Sequence, residues 1–432
     1  MKRAPLSFLL LCLTAAAYCQ TDNVDYIRQI AQEDSLIREE MRFNMDGAFM
    51  PLRGMIQTFT HKSFRNVPGP YVKRDNHWGD WALGLSPLAA TWTLKAFGVK
   101  SRSTTQRMVT ANGLALGLTV GLSQTLRWTV SEERPDGTGT NSLPSMHTAV
   151  AFMGATVLSR EYGHISPWVT IGGYAAATGT QMLRINHNAH WMNDIFMGAG
   201  IGVVSTNIAY WLTDQMLGSK GINRMGLSNA DLYQLRAAEY RPSGFRLVSG
   251  TEIRSRNMDV ADFAEACEGF SLQDVKLQAS ASMTTGVEAE WFVSDHLSLS
   301  AIGRCSVTQL KLEIPDNAIT AWGEQLYVYH GNAAVSWTTL LPKHKRFGAR
   351  AIGGIRYNEG KTFHRVGPDH QLGAPLLSIQ GQLKPELGAG IVVDMMQAHN
   401  QTVGFTFDFL HTFGTHFMAN RWVIGSSWKA MF

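Results

Sequence analysis

Two unlike parts are predicted for this chain: an all-alpha helical bundle followed by an antiparallel β-barrel of about eight strands. Three observations carry that expectation. Between residues 81 and 212 the apolar stretches have the length and the Ala/Gly/Leu texture of helices. Beyond Gly244 apolar residues recur at every second position, the period of a strand. The whole chain of 432 residues is only 17% charged and 45% hydrophobic, yet its mean hydropathy is -0.09. Such sparse charge excludes a disordered tail or a nucleic-acid coat, and a hydropathy near zero excludes a plain bundle of spanning helices. The formal charge of +4 includes Lys2 and Arg3, so no basic face remains to steer a polyanion and no nucleic-acid partner is expected.

Taken in order, residues 1–19 read as a secretory signal peptide. Met1 to Arg3 carry two positive charges, Leu6 to Ala17 form an apolar run of twelve with two polar interruptions, and Ala17-Tyr18-Cys19 places small residues at both ends of a cleavage triplet. Cys12 and Cys19 leave with it, and Cys267 and Cys305 read as two separate free thiols. Residues 20–78 form a polar lead-in, helix-like over Val24 to Phe43 and broken by Pro51, Pro68, Gly69 and Pro70. The bundle occupies 79–215, with apolar stretches at 81–94, 108–126, 146–158, 165–183 and 195–212. Asn112, Ser123 and Gln124 interrupt the second stretch and Arg160-Glu161 cut the third short. They read as core helices of a soluble bundle, since a span needs about 20 predominantly apolar residues. Residues 216–243, ending in Arg241-Pro242-Ser243, read as a linker.

The barrel is assigned to 244–432. Val287, Ala289, Trp291 and Val293 share one face against Glu288 and Glu290, and Val403, Phe405, Phe407 and Phe409 oppose Gly404, Thr406 and Asp408. A soluble sandwich gives the same alternation, so the connections decide. Candidate strands at 245–256, 278–293, 297–313, 325–340, 346–358, 375–393, 401–411 and 421–432 are joined by connections running long, short, long, short, long, medium, medium. Outer-membrane barrels combine short periplasmic turns, long outer loops and an even strand number, which returns both chain ends to the periplasmic side. The ending Trp422 to Phe432 resembles the terminal strand of bacterial outer-membrane proteins, which closes on an aromatic residue. Barrels of this size are filled by side chains, so an anchor in outer-membrane lipid is expected and not a pore.

Three clusters in the helical region carry the chemistry. Arg127 and Arg134-Pro135 follow the second apolar stretch, Pro144-Ser145-Met146-His147 open the next helix, and Arg184, His190 and Asp194 link two more. His190 and Asp194 are four apart, on one helical face, where a carboxylate can hold an imidazole in one tautomer. Three guanidinium forks match one tetrahedral oxyanion. Singly, His147 reads as a cap and Asp194 as a salt-bridge partner; their joint placement lifts them above that. Glu132 and Glu133 read as solvated or paired with an arginine, His187 as a pocket or an exposed loop residue, and Trp191 as a core residue or a cover over substrate.

This order and spacing resemble the type 2 phosphatidic acid phosphatase and vanadium haloperoxidase superfamily, whose pattern is Lys-x6-Arg-Pro, Pro-Ser-Gly-His and Ser-Arg-x5-His-x3-Asp. Arg134, Pro135, Pro144, Ser145, His147, Arg184, His190 and Asp194 meet it, while Arg127 stands for Lys, Met146 for Gly and Leu183 for Ser. The resemblance covers roughly residues 80–212. It implies that His190 attacks phosphorus to form a phosphohistidine, that Asp194 orients it, and that His147 serves as general acid and then base. Arg127, Arg134, Arg184, Ser145 and the Met146 N–H would cradle the phosphoryl oxygens. Without the Gly, the Met146 side chain must point away from that pocket or narrow it. The implied reaction needs no metal and no cofactor; vanadate would enter only if the protein were a haloperoxidase. A third alternative is an outer-membrane barrel carrying an inactive phosphatase-like domain. The expected substrate is a phosphorylated lipid or a small phosphomonoester, and the catalytic domain is expected in the periplasm.

Overall fold

The computed structural model describes residues 78–431 apart from 136–138, 188, 224–241 and short stretches between strands. The expectations for the signal peptide, the lead-in before Trp78, most of the linker and the closing Phe432 lie outside the described residues. Among the described residues five helices come first: α1 (Trp78–Ala96), α2 (Thr105–Thr129), α3 (Met146–Tyr162), α4 (Pro167–Asn186) and α5 (Met192–Leu217). Four of them contain an apolar stretch whole, and α4 takes in 165–183 from residue 167 onward; they outrun most of these stretches because their polar ends fold into buried pairs that leave no apolar signal. At the end of the bundle away from the three clusters, Arg107 pairs with Asp214 and donates to the carbonyls of Gly218 and Lys220. Glu161 there accepts the Ser103 N–H at 2.9 Å and the Tyr210 hydroxyl at 2.8 Å.

Helices α3 and α5 approach closely enough to require glycine. A Cβ on Gly202 would stand 2.2 Å from the Ala149 carbonyl oxygen, and one on Gly198 would stand 2.5 Å from that of Ser145. At α4, the Ser166 hydroxyl accepts the Trp168 N–H and Pro167 occupies the first turn, a standard helix start.

Eight antiparallel strands follow: β1 (Gly244–Arg254), β2 (Ser282–Phe292), β3 (Leu297–Glu313), β4 (Glu324–Leu341), β5 (Lys345–Asn358), β6 (Gln382–Ala398), β7 (Gln401–Thr412) and β8 (Asn420–Met431). Each pairs with the next and β8 pairs with β1, so the sheet closes. One expected strand is corrected. Residues 375–393 are two elements: Leu372–Ile379 joins a small sheet with Ala264–Ala266, Lys361–Val366 and Thr320–Ala321, and β6 begins only at Gln382. Alternation continues on both sides of the turn at Gln380-Gly381, so periodicity could not show the break. The connections consequently alternate throughout, long at 255–281, 314–323, 359–381 and 413–419, short at 293–296, 342–344 and 399–400.

Inside the barrel, charged side chains are zipped in pairs. Arg246 bonds Asp394 at 2.6 Å and Glu290 at 3.1 Å, and Arg350 bonds Asp408 and Glu288 at 2.7 and 3.0 Å. Arg421 and His330 share Glu386. At the end with long connections, Leu310, Leu312, Leu326 and Val328 pack with Phe363, Leu377 and Phe417 into an apolar cap. The lumen is therefore filled, as expected for eight strands. Cys267 and Cys305 are free thiols.

The bundle is not held off at the end of its linker. Helix α4 lies against the outer wall of the barrel, running with β1. Trp168 meets Phe245 at the strand's start, Tyr174 stacks on Trp428 at 4.4 Å, and the Ser249 hydroxyl bonds Gln181 at 3.0 Å. Farther along, Ile185 packs on Met283 and Val307, and its carbonyl accepts Gln325 Nε2 at 3.2 Å. The reason lies in the wall: Leu247, Ser249, Thr251, Ser426, Trp428 and Ala430 face outward yet are buried under the helices.

Candidate active site

All three clusters meet at one end of the bundle, where α2 and α4 finish and α3 and α5 start. His190 lies in the short connection 187–191 and is buried. Its Nδ1 stands 2.9 Å from the carbonyl oxygen of Ser142. A carbonyl only accepts, so Nδ1 carries the proton and Nε2 keeps its lone pair. Nε2 is buried without a hydrogen-bond partner. Burial, then the charges of Arg184, Arg134 and Arg127, hold the His190 pKa well below the usual imidazole value, while the Ser142 carbonyl pulls the other way. A neutral imidazole with a bare ring nitrogen among three guanidinium groups is poised as a nucleophile toward an anion.

Asp194 plays a less direct part than the spacing predicts. Its carboxylate is 3.6 Å from His190 Nδ1, beyond hydrogen-bond reach. It instead accepts the Ser142 hydroxyl and, at 2.9 Å, the Trp191 N–H. Asp194 thus fixes Ser142 and the start of α5, and the Ser142 carbonyl fixes the imidazole. The Ser145 N–H donates to the Asp194 carbonyl at 3.0 Å, tying the second cluster to the third.

Ser145 is the N-cap of α3, so the opening N–H groups of that helix face the site. The Met146 side chain packs against the core cluster of Ala115, Val150, Met153 and Ala209. The Met that replaces Gly therefore finds its side-chain contacts in the bundle core. Arg127 donates from Nε and Nη2 to the Pro144 carbonyl at 3.1 and 3.0 Å, and Arg134 Nε donates to Asn141 at 3.1 Å. Among the described residues each of these arginines is bonded to a single oxygen, which leaves donors for a ligand.

Helix α1 adds residues that the motif reading missed. Asp80 is buried, pairs with Arg184 and stands 3.0 Å from His187 Nδ1. Trp81 packs on the His147 ring with centroids 4.1 Å apart. Asp80 had a signal, being the only charged residue from Trp78 to Leu94; Ser142 had none. His187 belongs with Asp80, beside the site. Trp191 is half-buried and donates its indole N–H to the Glu133 carbonyl at 2.7 Å. Glu132 is buried, which rules out the solvated side chain among its expected states, and its backbone pairs with the segment carrying Asn141 and Ser142.

Residues 108–216 match the model of the PAP2 superfamily. A curated protein of Porphyromonas gingivalis, lipid A 1-phosphatase, is 39% identical over 175 residues, which is 40% of this chain and 36% of that protein. The match thus spans about a third of the relative's length. Among solved structures, Neisserial surface protein A is 11% identical over 44% of this chain and 98% of its own, with a TM-score of 0.26. Ail of Yersinia pestis is 10% identical over 44% and 99%, at 0.25, and OprG of Pseudomonas aeruginosa 7% over 45% and 96%, at 0.27. The chain carries, in its helical half, a domain of the PAP2 superfamily.

Proposed function

We propose that the protein is a phosphatase of lipid phosphomonoesters, anchored in an outer membrane by its barrel. The observation that carries the reading is the buried His190, its Nδ1 proton engaged by Ser142 and its Nε2 bare among three arginines. In the proposed reaction Nε2 attacks phosphorus in line, a phosphohistidine forms, and the P–O bond to the lipid alcohol breaks. His147 gives that alkoxide its proton and then removes one from the water that releases inorganic phosphate. Arg127, Arg134, Arg184 and the first N–H groups of α3 take up charge on the equatorial oxygens. The identity shared with a lipid A 1-phosphatase supports a headgroup phosphate as substrate. The anchor is supported by Val287, Trp291, Val335, Trp337, Ile355, Leu387 and Trp422, which leave large apolar surface exposed around a charged interior.

Purified protein tests the reading. Phosphate release from a lipid 1-phosphate or phosphatidic acid in detergent should be lost in His190→Ala, and rapidly quenched wild type should carry a phosphoryl label that is stable to base and labile to acid. Equal release by His190→Ala would overturn it, and bromide oxidation that depends on added vanadate, without ester hydrolysis, would replace it.

A further inference from the structure

The catalytic end of the bundle coincides with one end of the barrel. Ile185, beside Arg184, shares a core cluster with Met283 and Val307 and its carbonyl accepts from Gln325, and these three lie toward the long-connection ends of β2, β3 and β4. Val307 pairs with Tyr327, two residues along from Tyr329, and Tyr329 pairs with Tyr357. Tyr329 and Tyr357 are outward-facing, exposed and stacked. At the short-turn end Trp291, Trp337 and Phe347 are exposed in the same way. Phe347 to Tyr357 is about 33 Å of strand, or about 25 Å across a bilayer after tilting, which is the height of the apolar band of an outer-membrane barrel.

The bundle repeats that spacing on its own surface. No charged residue occurs between Met108 and Leu126, and Val109, Leu116, Val120 and Leu122 are exposed on α2. Helix α1 is likewise free of charge from Trp81 to Leu94, with Leu85 exposed. Trp128 and Trp78 stand 78% and 72% exposed at the catalytic end, and Phe97 and Trp168 are exposed at the other. Val109 to Trp128 rises about 28 Å, close to the roughly 30 Å hydrocarbon thickness, and aromatic rings at both ends are what an interface selects.

We infer that the bundle shares the bilayer with the barrel, and that its active site opens at headgroup level in the leaflet on the long-connection side. In barrels of this kind the long connections are extracellular, so the leaflet is the outer one and the substrate a phosphate on an outer-leaflet lipid. This replaces the expectation of a periplasmic catalytic domain, and it rests on the lipid-phosphatase reading above. The occupant of the exposed faces of α1 and α2 is lipid: they are apolar, match the height of the barrel's apolar band and carry no charge.

Three sulfhydryl positions test it in the full chain, in cells with an outer membrane. Native Cys267 lies in the long connection 255–281; Thr140→Cys, with Cys267 replaced by Ser, marks the exposed rim of the site; Ser219→Cys, in the same background, marks the opposite end of the bundle. Labelling by an impermeant maleimide is normalised to that in detergent. Cys267 and Thr140→Cys should label in intact cells, and Ser219→Cys at least tenfold less until the outer membrane is permeabilised. Protection of Thr140→Cys in intact cells overturns the inference, whether or not Cys267 is labelled. Lipid phosphate release by His190→Ala is scored separately, so a periplasmic site on an active phosphatase and an external site on an inactive one give different results.

Discussion

Asp80 is expected to position Arg184, and replacing it should cost turnover more than binding. Both side chains are buried and paired in the structure. Truncating one partner of such a pair leaves a charge uncompensated, a loss of about 3–5 kcal/mol. Asp80→Asn keeps the volume and one acceptor, so part of that loss is spared. The remaining strain falls on Arg184, which can relax by turning toward solvent or toward a bound phosphate. If it turns, one oxyanion donor is misplaced, and losing such a donor lowers kcat by about 10²–10³. If the phosphate dianion supplies the missing negative charge, KM stays level or falls, because the ligand restores the compensation that the variant removed. The expected signature in a detergent phosphate-release assay is therefore a kcat lower by about 10²-fold with KM no higher than wild type. Thermal unfolding of the same sample separates this from loss of fold. A folded Asp80→Asn protein whose kcat lies within twofold of wild type would show that Arg184 is placed without Asp80. A variant whose loss is all in KM would show that Asp80 acts on binding.

Other expectations are more local. Because burial and three arginines depress the His190 pKa well below the usual value, the acid limb of single-turnover rate against pH should lie well under 6.5, and Arg134→Gln should move it upward; an unmoved limb would assign it to another group. The sign for stability follows from the same shift. The unfolded imidazole binds a proton first, so the site's contribution is complete above about pH 6.5 and declines as pH falls toward the lower folded value. Gly202→Val forces a Cβ into the Ala149 carbonyl and should lose both catalytic activity and folded yield, since overpacking costs about 1–3 kcal/mol or more; normal yield and activity would mean that α3 and α5 can separate. Arg350→Met leaves Asp408 and Glu288 without their shared partner in the lumen and should lower the temperature at which the barrel loses its compact gel mobility, leaving phosphate release from the folded fraction near wild type.

Much of the architecture was legible because each part follows a simple period. Alternation placed seven of the eight barrel strands within four residues of their bounds, and helix-length apolar stretches located the five described helices. The misplaced element, 375–393, failed because a turn at Gln380-Gly381 joins two stretches of the same alternation. The motif residues converge as their order implied, but the supporting contacts were hidden. Ser142 holds His190 through its backbone carbonyl, which no side-chain pattern reports, and Asp80 reaches Arg184 from a helix 104 residues earlier.

The docking of the bundle on the barrel had a signal of a different kind, carried by exceptions to the alternation. A wall that meets lipid should be apolar at every outward position, as it is at Val287, Trp291, Val335, Trp337 and Leu387. On β1 and β8 the outward positions include Ser249, Thr251 and Ser426, and all three are buried. Hydroxyls at the middle of a lipid-facing wall would be unsatisfied; under a helix they find partners, as Ser249 does in Gln181 and Thr251 in the Met192 sulfur. The polar residues of α4 obey the same logic, since Gln181 would be costly in hydrocarbon and is tolerated against the wall. Substituting Ser249 and Gln181 together by Ala and Leu should therefore preserve the seam, whereas Gln181→Leu alone leaves the Ser249 hydroxyl buried without its partner. Each of these exceptions in the barrel half answers one in the helical half, which makes the seam a property of both sequences and sets the end of α4 that carries Arg184 beside β2, β3 and β4.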